Sequence, residues 1–178
     1  MIIGHGDIAS VLPERDDLLF FASGVSNSHE KRYQEYDRET ELLIEHTKGR
    51  PEQRLVYFSS LSVFTPRAEV PDAKLMYWAH KHRMEKMVKK LPHYTIIRIG
   101  NIAWGTNPHT LINYFKAMAS SGEPLDIQDT TRCVVEKDEF LHWINLIPDW
   151  NCEMNISGRM MTVQEIVDKY VAPHFKHE

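Results

Sequence analysis

The sequence has little cysteine and no long apolar run. Its two cysteines, Cys133 and Cys152, lie far apart and form no CxxC motif, so we expect neither a disulfide framework nor a zinc site. Ten histidines occur without an HExxH pattern, and we expect no metal. No stretch approaches the roughly 18 apolar residues needed to cross a bilayer, and we see no signal-like segment at the start. We therefore expect a cytoplasmic protein without a membrane contact.

A surplus of positive charge is also missing. The formal net charge is -4, which argues against a protein that binds nucleic acid through phosphate contacts. Basic residues do cluster between 81 and 90, but their helical spacing is typical of a solvated helix face. With 178 residues, 42% hydrophobic and 26% charged, the composition suits one globular domain.

Short apolar runs alternate with longer helical patterns along the chain. We predict strands at 1–3, 18–22, 55–59, 94–99 and 155–157. We predict helices at 29–48 (capped by 26–28), 72–91, 111–118, 138–147 and from a capping box at Thr162 through Val171. This alternation predicts an α/β fold, Rossmann-like, with a mostly parallel sheet of about five strands flanked by helices.

Small and polar residues gather where the predicted strands end. These ends are 4–9, 22–26, 59–64 and 100–105. Ligands of open parallel sheets bind at the carboxyl ends of the strands, so we expect one site at this edge.

A glycine motif follows the first predicted strand. Gly4, Gly6 and Ala9 fit the pattern G-x-G-x-x-A, in which glycines allow a tight turn and the close approach of a pyrophosphate. A helix starting there would add free N–H groups and a positive dipole end. The alternative is an ordinary tight turn between a strand and a helix.

Tyr77 and Lys81 are four residues apart on a predicted helix and share one face. A lysine ammonium beside a phenol favours the phenolate, which would let the tyrosine exchange protons near neutral pH. The alternative is a lysine stem packed on an aromatic ring.

Ser60 follows the second buried strand. Its hydroxyl would be placed to hydrogen-bond a substrate oxygen at the carboxyl edge of the sheet. The alternative is a serine that caps the strand exit.

Taken in order, these signals resemble the extended short-chain dehydrogenase/reductase superfamily, the NAD-dependent epimerase/dehydratase family. Further segments resemble that family at 55–64, 97–105, 122–125, 131–138 and 155–165. The likeness extends from Gly4 to about Val171.

The resemblance implies roles for particular residues. Tyr77 would be the general acid/base, Lys81 would hold the nicotinamide ribose, and Ser60 would orient the substrate. The cofactor would be NAD or NADP, and its expected contacts are Gly4, Gly6, Ala9, Ala22, Ser23 and Lys81. Asn101 and Arg132 would hold the phosphates of a nucleotide-sugar substrate, although Arg132 also fits a surface salt bridge.

The chain departs from the family between Gly6 and Leu18, where only about a dozen residues stand. The usual second and third strands are missing, and with them the adenosine side of the cofactor site. We expect one domain, 1–178, with a small substrate-side portion at about 105–178. Its first strand would be an exposed edge, which favours a homodimer through the helices at 29–48 and 74–91.

Two functional hypotheses therefore remain open. The first is an NAD(P)-dependent epimerase/dehydratase-like oxidoreductase that acts on a nucleotide sugar. The second is a degenerate, non-catalytic relative that binds a smaller ligand or a protein partner.

Overall fold

The computed structural model describes residues 1–174, which form eight strands and five α-helices. The strands are β1 (Ile2–Ile3), β2 (Leu18–Phe21), β3 (Arg54–Ser60), β4 (Tyr94–Ile99), β5 (Asn101–Ile102), β6 (Thr131–Val135), β7 (Cys152–Ile156) and β8 (Arg159–Thr162). The helices are α1 (Tyr33–Thr47), α2 (Leu75–Val88), α3 (Leu111–Ser120), α4 (Lys137–Asn145) and α5 (Val163–Tyr170). Short 3₁₀ turns punctuate the loops.

The main sheet is parallel throughout and has the strand order β1-β2-β3-β4-β7. This confirms the predicted Rossmann-like α/β fold of five strands, with β1 at one edge. Both faces of the sheet are covered, as the continuous apolar strands predict.

The core divides between the two faces of the main sheet. On one face, Phe20 and Phe58 pack with Phe140 of α4. On the other, side chains of the same strands, including Phe21 and Tyr57, pack against α1 and α2. Alternate residues of each strand thus point to opposite helical layers, because successive side chains of a strand point to opposite faces.

A second, three-stranded sheet lies beyond β4. β6 pairs in parallel with β5 and antiparallel with β8, and α3 and α5 pack beside it. Sequence patterns did not predict these strands, because each is only two to five residues long and the polar start of β6 is exposed. The capping box at Thr162 is confirmed at the start of α5.

The predicted start of the first long helix was wrong. α1 begins at Tyr33 rather than His29, and its N-cap is Arg32 rather than a residue of 26–28. The intervening residues form their own turn, in which the Glu30 carboxylate accepts hydrogen bonds from the backbone N–H groups of Lys31 and Arg32. These local bonds compete with helix formation.

No α-helix follows the glycine motif, which agrees with the short stretch between Gly6 and Leu18. One 3₁₀ turn, Ala9–Val11, stands in its place, and Leu12 then packs into the core. The chain has to reach β2 at Leu18 within a few residues, which leaves no length for a helix. The glycine loop therefore lacks the helix dipole that the motif predicted.

Within residues 1–174 no helix combines the length and the apolar character that a membrane crossing requires.

Candidate active site

A cleft of about 590 Å³ opens at the carboxyl edge of the main sheet. It brings together seven of the residues singled out in the sequence, namely Gly6, Ala22, Ser60, Tyr77, Lys81, Asn101 and Arg132. The carboxyl ends of β1 to β4 place Gly6, Ala22, Ser60 and Asn101 there, α2 supplies Tyr77 and Lys81, and β6 supplies Arg132. The edge predicted to hold a site thus carries a cleft.

Lys81 lies at the inner end of the cleft and is bound to a buried carboxylate. Its Nζ is 3.1 and 3.3 Å from the two oxygens of Glu39 and 3.3 Å from the hydroxyl of Tyr57. Glu39 is fully buried, and Lys81 is 2% exposed. A lysine has three N–H donors, so these contacts account for all of them.

Glu39 is held from several directions. Its oxygens accept hydrogen bonds from the backbone N–H of Val25 at 2.7 Å and from the hydroxyl of Tyr57 at 2.7 Å. His80 Nε2 lies 3.0 Å away and donates, because an ionised carboxylate only accepts. Burial raises the pKa of Glu39, but Lys81, His80 and Tyr57 outweigh it and bring the pKa to about 2. Glu39 is therefore a buried anion at neutral pH.

The same network affects Tyr57. Burial first, and then the neighbouring Glu39 carboxylate, raises the pKa of Tyr57 well above its usual range. Its phenol therefore stays protonated and serves as a fixed donor between Glu39 and Lys81.

Tyr77 stands on the cleft side of Lys81. Lys81 Nζ lies 5.7 Å from the centre of the Tyr77 ring, and in residues 1–174 the Tyr77 hydroxyl has no hydrogen-bond partner. Ser60 faces the same cleft, where its Oγ accepts a bond from Ser62 N at 3.2 Å and keeps its own O–H to donate. The two hydroxyls are thus available to a ligand.

Ser59, the preceding serine, makes a structural hydrogen bond instead. Ser59 is buried, and its hydroxyl donates to Glu85 at 2.6 Å. The Glu85 carboxylate is also paired with Arg98, at 2.6 Å. Of these two adjacent serines, Ser60 is therefore the one whose hydroxyl is free to donate.

Asn101 and Arg132 lie in the second sheet and line the same cleft. Asn101 donates to the backbone oxygen of Cys133 at 3.0 Å and so links β5 to β6. Arg132 is half-buried and donates to the adjacent backbone oxygen of Thr131 at 2.9 Å. The structure gives Arg132 no carboxylate partner in the described residues, so the surface salt bridge has no support there.

The other expected cofactor contacts lie outside the cleft wall. Gly4 has a φ of 120°, and a side chain there would come within 2.4 Å of the Ala22 backbone oxygen. Ala9 is buried in the 3₁₀ turn, and Ser23 is bonded to Arg38 through its hydroxyl and backbone oxygens. These three residues explain the local packing, and their role toward a cofactor stays a prediction.

Asp7 occupies the glycine loop with a negative charge. Its carboxylate accepts backbone bonds from Thr106 and Asn107, both at 2.9 Å, and its backbone oxygen accepts from the Trp104 indole at 3.1 Å. Asn107 in turn donates to Ser26 at 2.9 Å. This chain of bonds fixes one rim of the cleft.

The residues fit the nicotinamide half of a dinucleotide and not the adenosine half. Ala22, Ser60, Tyr77 and Lys81 line one cleft, and Gly24 has no side chain to fill it. On the adenosine side, β1 has no further strand beside it in the described residues, and a 3₁₀ turn follows the glycine loop in place of an α-helix.

Sequence reasoning missed Glu39 and Asp7. Glu39 lies three residues after Tyr36 and four before Leu43, so its helical spacing placed it on the buried stripe. No local signal pointed to the contacts of Asp7, which join residues about 100 positions apart. Within residues 1–174 no three His, Cys, Asp or Glu side chains are grouped so that they could hold a metal ion.

No protein-family profile and no curated protein matches the chain. Solved structures do resemble it. The Bordetella bronchiseptica enzyme WbmH in complex with NAD⁺ has a TM-score of 0.72 at 14% identity, over 91% of this chain and 60% of its own. WbmG from the same organism, in complex with NAD, has a TM-score of 0.65 at 16% identity, over 85% of this chain and 55% of its own.

A third similar structure is the UDP-N-acetylglucosamine 4-epimerase of Methanobrevibacter ruminantium in complex with UDP-N-acetylmuramic acid. Its TM-score is 0.61 at 17% identity, over 85% of this chain and 58% of its own. The chain thus spans a little over half the length of these structures. At 14–17% identity this likeness shows a shared fold, and it confirms the Rossmann-like architecture that the sequence predicts.

Proposed function

We propose that this chain is an epimerase/dehydratase-like oxidoreductase that uses NAD or NADP and acts on a nucleotide sugar. The observation that carries the proposal is that one cleft collects Ser60, Tyr77, Lys81, Asn101 and Arg132 from four separate elements, β3, α2, β5 and β6. Three of these side chains match the proton-transfer set of the family, and the other two match its substrate contacts.

Each residue of the cleft has a separate role in this proposal. The Ser60 O–H donates to a sugar hydroxyl or carbonyl oxygen and orients it. The Tyr77 hydroxyl, which has no partner in the described residues, gives or takes the proton at that oxygen. Arg132 pairs with a phosphate of the nucleotide, since a guanidinium presents two parallel donors. Ala22, Tyr77 and Lys81 would hold the nicotinamide end, which when bound accepts and returns a hydride.

The test is a titration with NADH and NADPH. Binding is monitored by the fluorescence emission of the nucleotide and by the quenching of tryptophan fluorescence. Trp78 and Trp104 report on the cleft, because their indole N–H groups donate to the backbone oxygens of Thr65 and Asp7 in its wall. We expect saturable binding at micromolar levels, after which sugar nucleotides would be screened for turnover. Absence of binding up to millimolar levels would remove the dinucleotide from the proposal.

A second candidate is a relative that binds a smaller ligand, or a protein partner, without redox catalysis. Two observations favour it: the glycine loop lacks its helix, and all the donors of Lys81 are bound to Glu39 and Tyr57. Each missing hydrogen bond to a dinucleotide would remove about 1 kcal/mol of affinity. Binding of a sugar or nucleoside monophosphate, in the absence of NADH binding, would select this candidate.

We also propose that the protein is a cytoplasmic homodimer that pairs through α1 and α2. The exposed positions of α1 include Asp37, Glu41 and Glu45, whereas those of α2 include Arg83 and Lys86. The acidic and basic faces are complementary, which supports pairing of these helices across a two-fold axis. A monomer in light scattering at micromolar concentration would contradict it.

A further inference from the structure

We propose that Glu39 is a positioning residue that withholds Lys81 from the ligand, so that a ligand in the cleft must compete with a carboxylate of the protein itself. The inference rests on the proposed function, because it concerns the same cleft. It goes beyond that function by assigning a role to a residue on α1 that no motif marks.

The first support is the geometry of the pair. Lys81 Nζ contacts both oxygens of Glu39, and its remaining neighbour in hydrogen-bond range is the Tyr57 hydroxyl at 3.3 Å. The ammonium lies over two tyrosine rings, 5.4 Å from the centre of Tyr57 and 5.7 Å from that of Tyr77. No donor of Lys81 is left over for a ribose hydroxyl or a phosphate in this arrangement.

The second support is that the surrounding structure fixes the carboxylate. Val25, His80 and Tyr57 donate to Glu39 from a loop, from α2 and from β3. Gly24 allows the cleft wall to approach the Glu39–Lys81 pair closely, because a Cβ at this position would be 2.8 Å from Lys81 Nζ. Because Glu39 is anchored independently of Lys81, the lysine is the partner that would have to move.

The third support is the charge of the cleft. Lys81 and Arg132 are the lysine and arginine side chains in its wall, and Asp7 contributes a negative charge. With Lys81 neutralised by Glu39, the inner end of the cleft carries no net positive charge. Removing the charge of Glu39 would leave a buried ammonium without a counterion, and this ammonium would then favour an oxygen-rich ligand.

The experiment compares NADH binding in the wild type, Glu39→Gln, Lys81→Met and the double variant. We expect Glu39→Gln to bind NADH at least about tenfold more tightly, since tenfold corresponds to roughly 1.4 kcal/mol and one restored charged hydrogen bond supplies that much. The double variant should bind no more tightly than Lys81→Met alone. Loss of folding cannot raise affinity, so this gain separates positioning from a merely structural role.

Glu85→Gln is the matched control, because it also removes a buried negative charge beside the sheet but does not touch Lys81. It should show no gain in affinity. If Glu39→Gln fails to fold, Glu39→Asp replaces it: the shorter side chain draws the carboxylate back, and we expect a smaller gain that Lys81→Met again removes. An unchanged affinity in a folded Glu39 variant, or a gain that persists without Lys81, would overturn the proposal.

A second readout does not need a bound dinucleotide. Limited acetylation with acetic anhydride, read by peptide mass spectrometry, compares Lys81 with the exposed Lys86 on the same helix. We expect the ratio of labelling to rise at least about fivefold in Glu39→Gln, because the Lys81 amine is then no longer held by the carboxylate and can reach the reagent in the cleft. If no variant binds NADH while this ratio rises, the proposed binding of a dinucleotide is refuted, and the positioning role of Glu39 is supported. An unchanged ratio would refute that role.

Discussion

The Arg98 guanidinium donates to both carboxylate oxygens of Glu85, at 2.9 and 2.6 Å, between β4 and α2. Both side chains are buried, and the Glu85 carboxylate also accepts from Ser59. This bidentate pair fixes α2, and therefore Tyr77 and Lys81, against the sheet.

Glu85→Ala should lower the free energy of unfolding markedly. Removing one partner of a buried pair costs about 3–5 kcal/mol, and we expect the lower end because Arg98 keeps Glu153 as a second partner. Urea unfolding measures the loss. Glu153→Gln, on the more exposed carboxylate, should cost less than about 1 kcal/mol, and equal losses in the two variants would contradict the role given to Glu85.

Gly4→Ala and Gly6→Ala should have opposite effects on stability. Gly4 has a φ of 120° and a side chain would meet the Ala22 backbone, so we expect a loss of at least about 1–3 kcal/mol. Gly6 faces open space, and alanine there should stabilise by roughly 0.4–1 kcal/mol. Thermal unfolding compares the two. A weaker NADH affinity in the stable Gly6→Ala protein would show that a ligand approaches this loop.

Tyr77→Phe should reduce turnover by at least about a hundredfold without changing the fold, because its hydroxyl bonds to nothing in the described residues. Tyr57→Phe is the structural counterpart: its hydroxyl donates to the buried Glu39, and we expect a loss of about 1.5–3 kcal/mol. Steady-state kinetics and urea unfolding on both variants separate the two roles. Full turnover in Tyr77→Phe would remove the proposed mechanism.

Acid should destabilise the protein partly through Glu39. The folded-state pKa of about 2 lies below the ordinary value of 4.5, so the unfolded chain takes up this proton first as the pH falls. The contribution of Glu39 is complete above about pH 4.5 and is lost progressively toward pH 2.

Urea unfolding at pH 5 and pH 3 checks this prediction. The stability difference between the wild type and Glu39→Gln should narrow at the lower pH. Glu165→Gln serves as the control, because its carboxylate also has a lowered pKa but lies at the surface. If the stability difference between the wild type and Glu39→Gln is the same at pH 5 and pH 3, Glu39 does not contribute to the acid sensitivity.

Thr162→Ala should destabilise α5 by about 1 kcal/mol, since the Thr162 hydroxyl accepts from Glu165 N in a complete capping box. Thr162→Ser keeps the oxygen and should retain most of the stability. Thermal unfolding of the two variants measures the difference, and equal losses would show that the hydroxyl contributes little.

The sequence by itself determined the alternation of strands and helices, the parallel main sheet and the edge at which a site would form. Continuous apolar strands such as Leu18–Phe21 and the capping box at Thr162 are local signals, because they depend on side-chain period and nearby backbone groups. The same holds for the four-residue spacing that places Tyr77 and Lys81 on one helical face.

Only the tertiary structure decided what those residues touch. Lys81 meets a carboxylate 42 positions earlier in the chain, and Asp7 caps a loop 100 positions later. The short strands of the second sheet likewise depend on partners that are distant in sequence. Such contacts arise from the packing of separate elements, and a single sequence carries no local periodicity that records them.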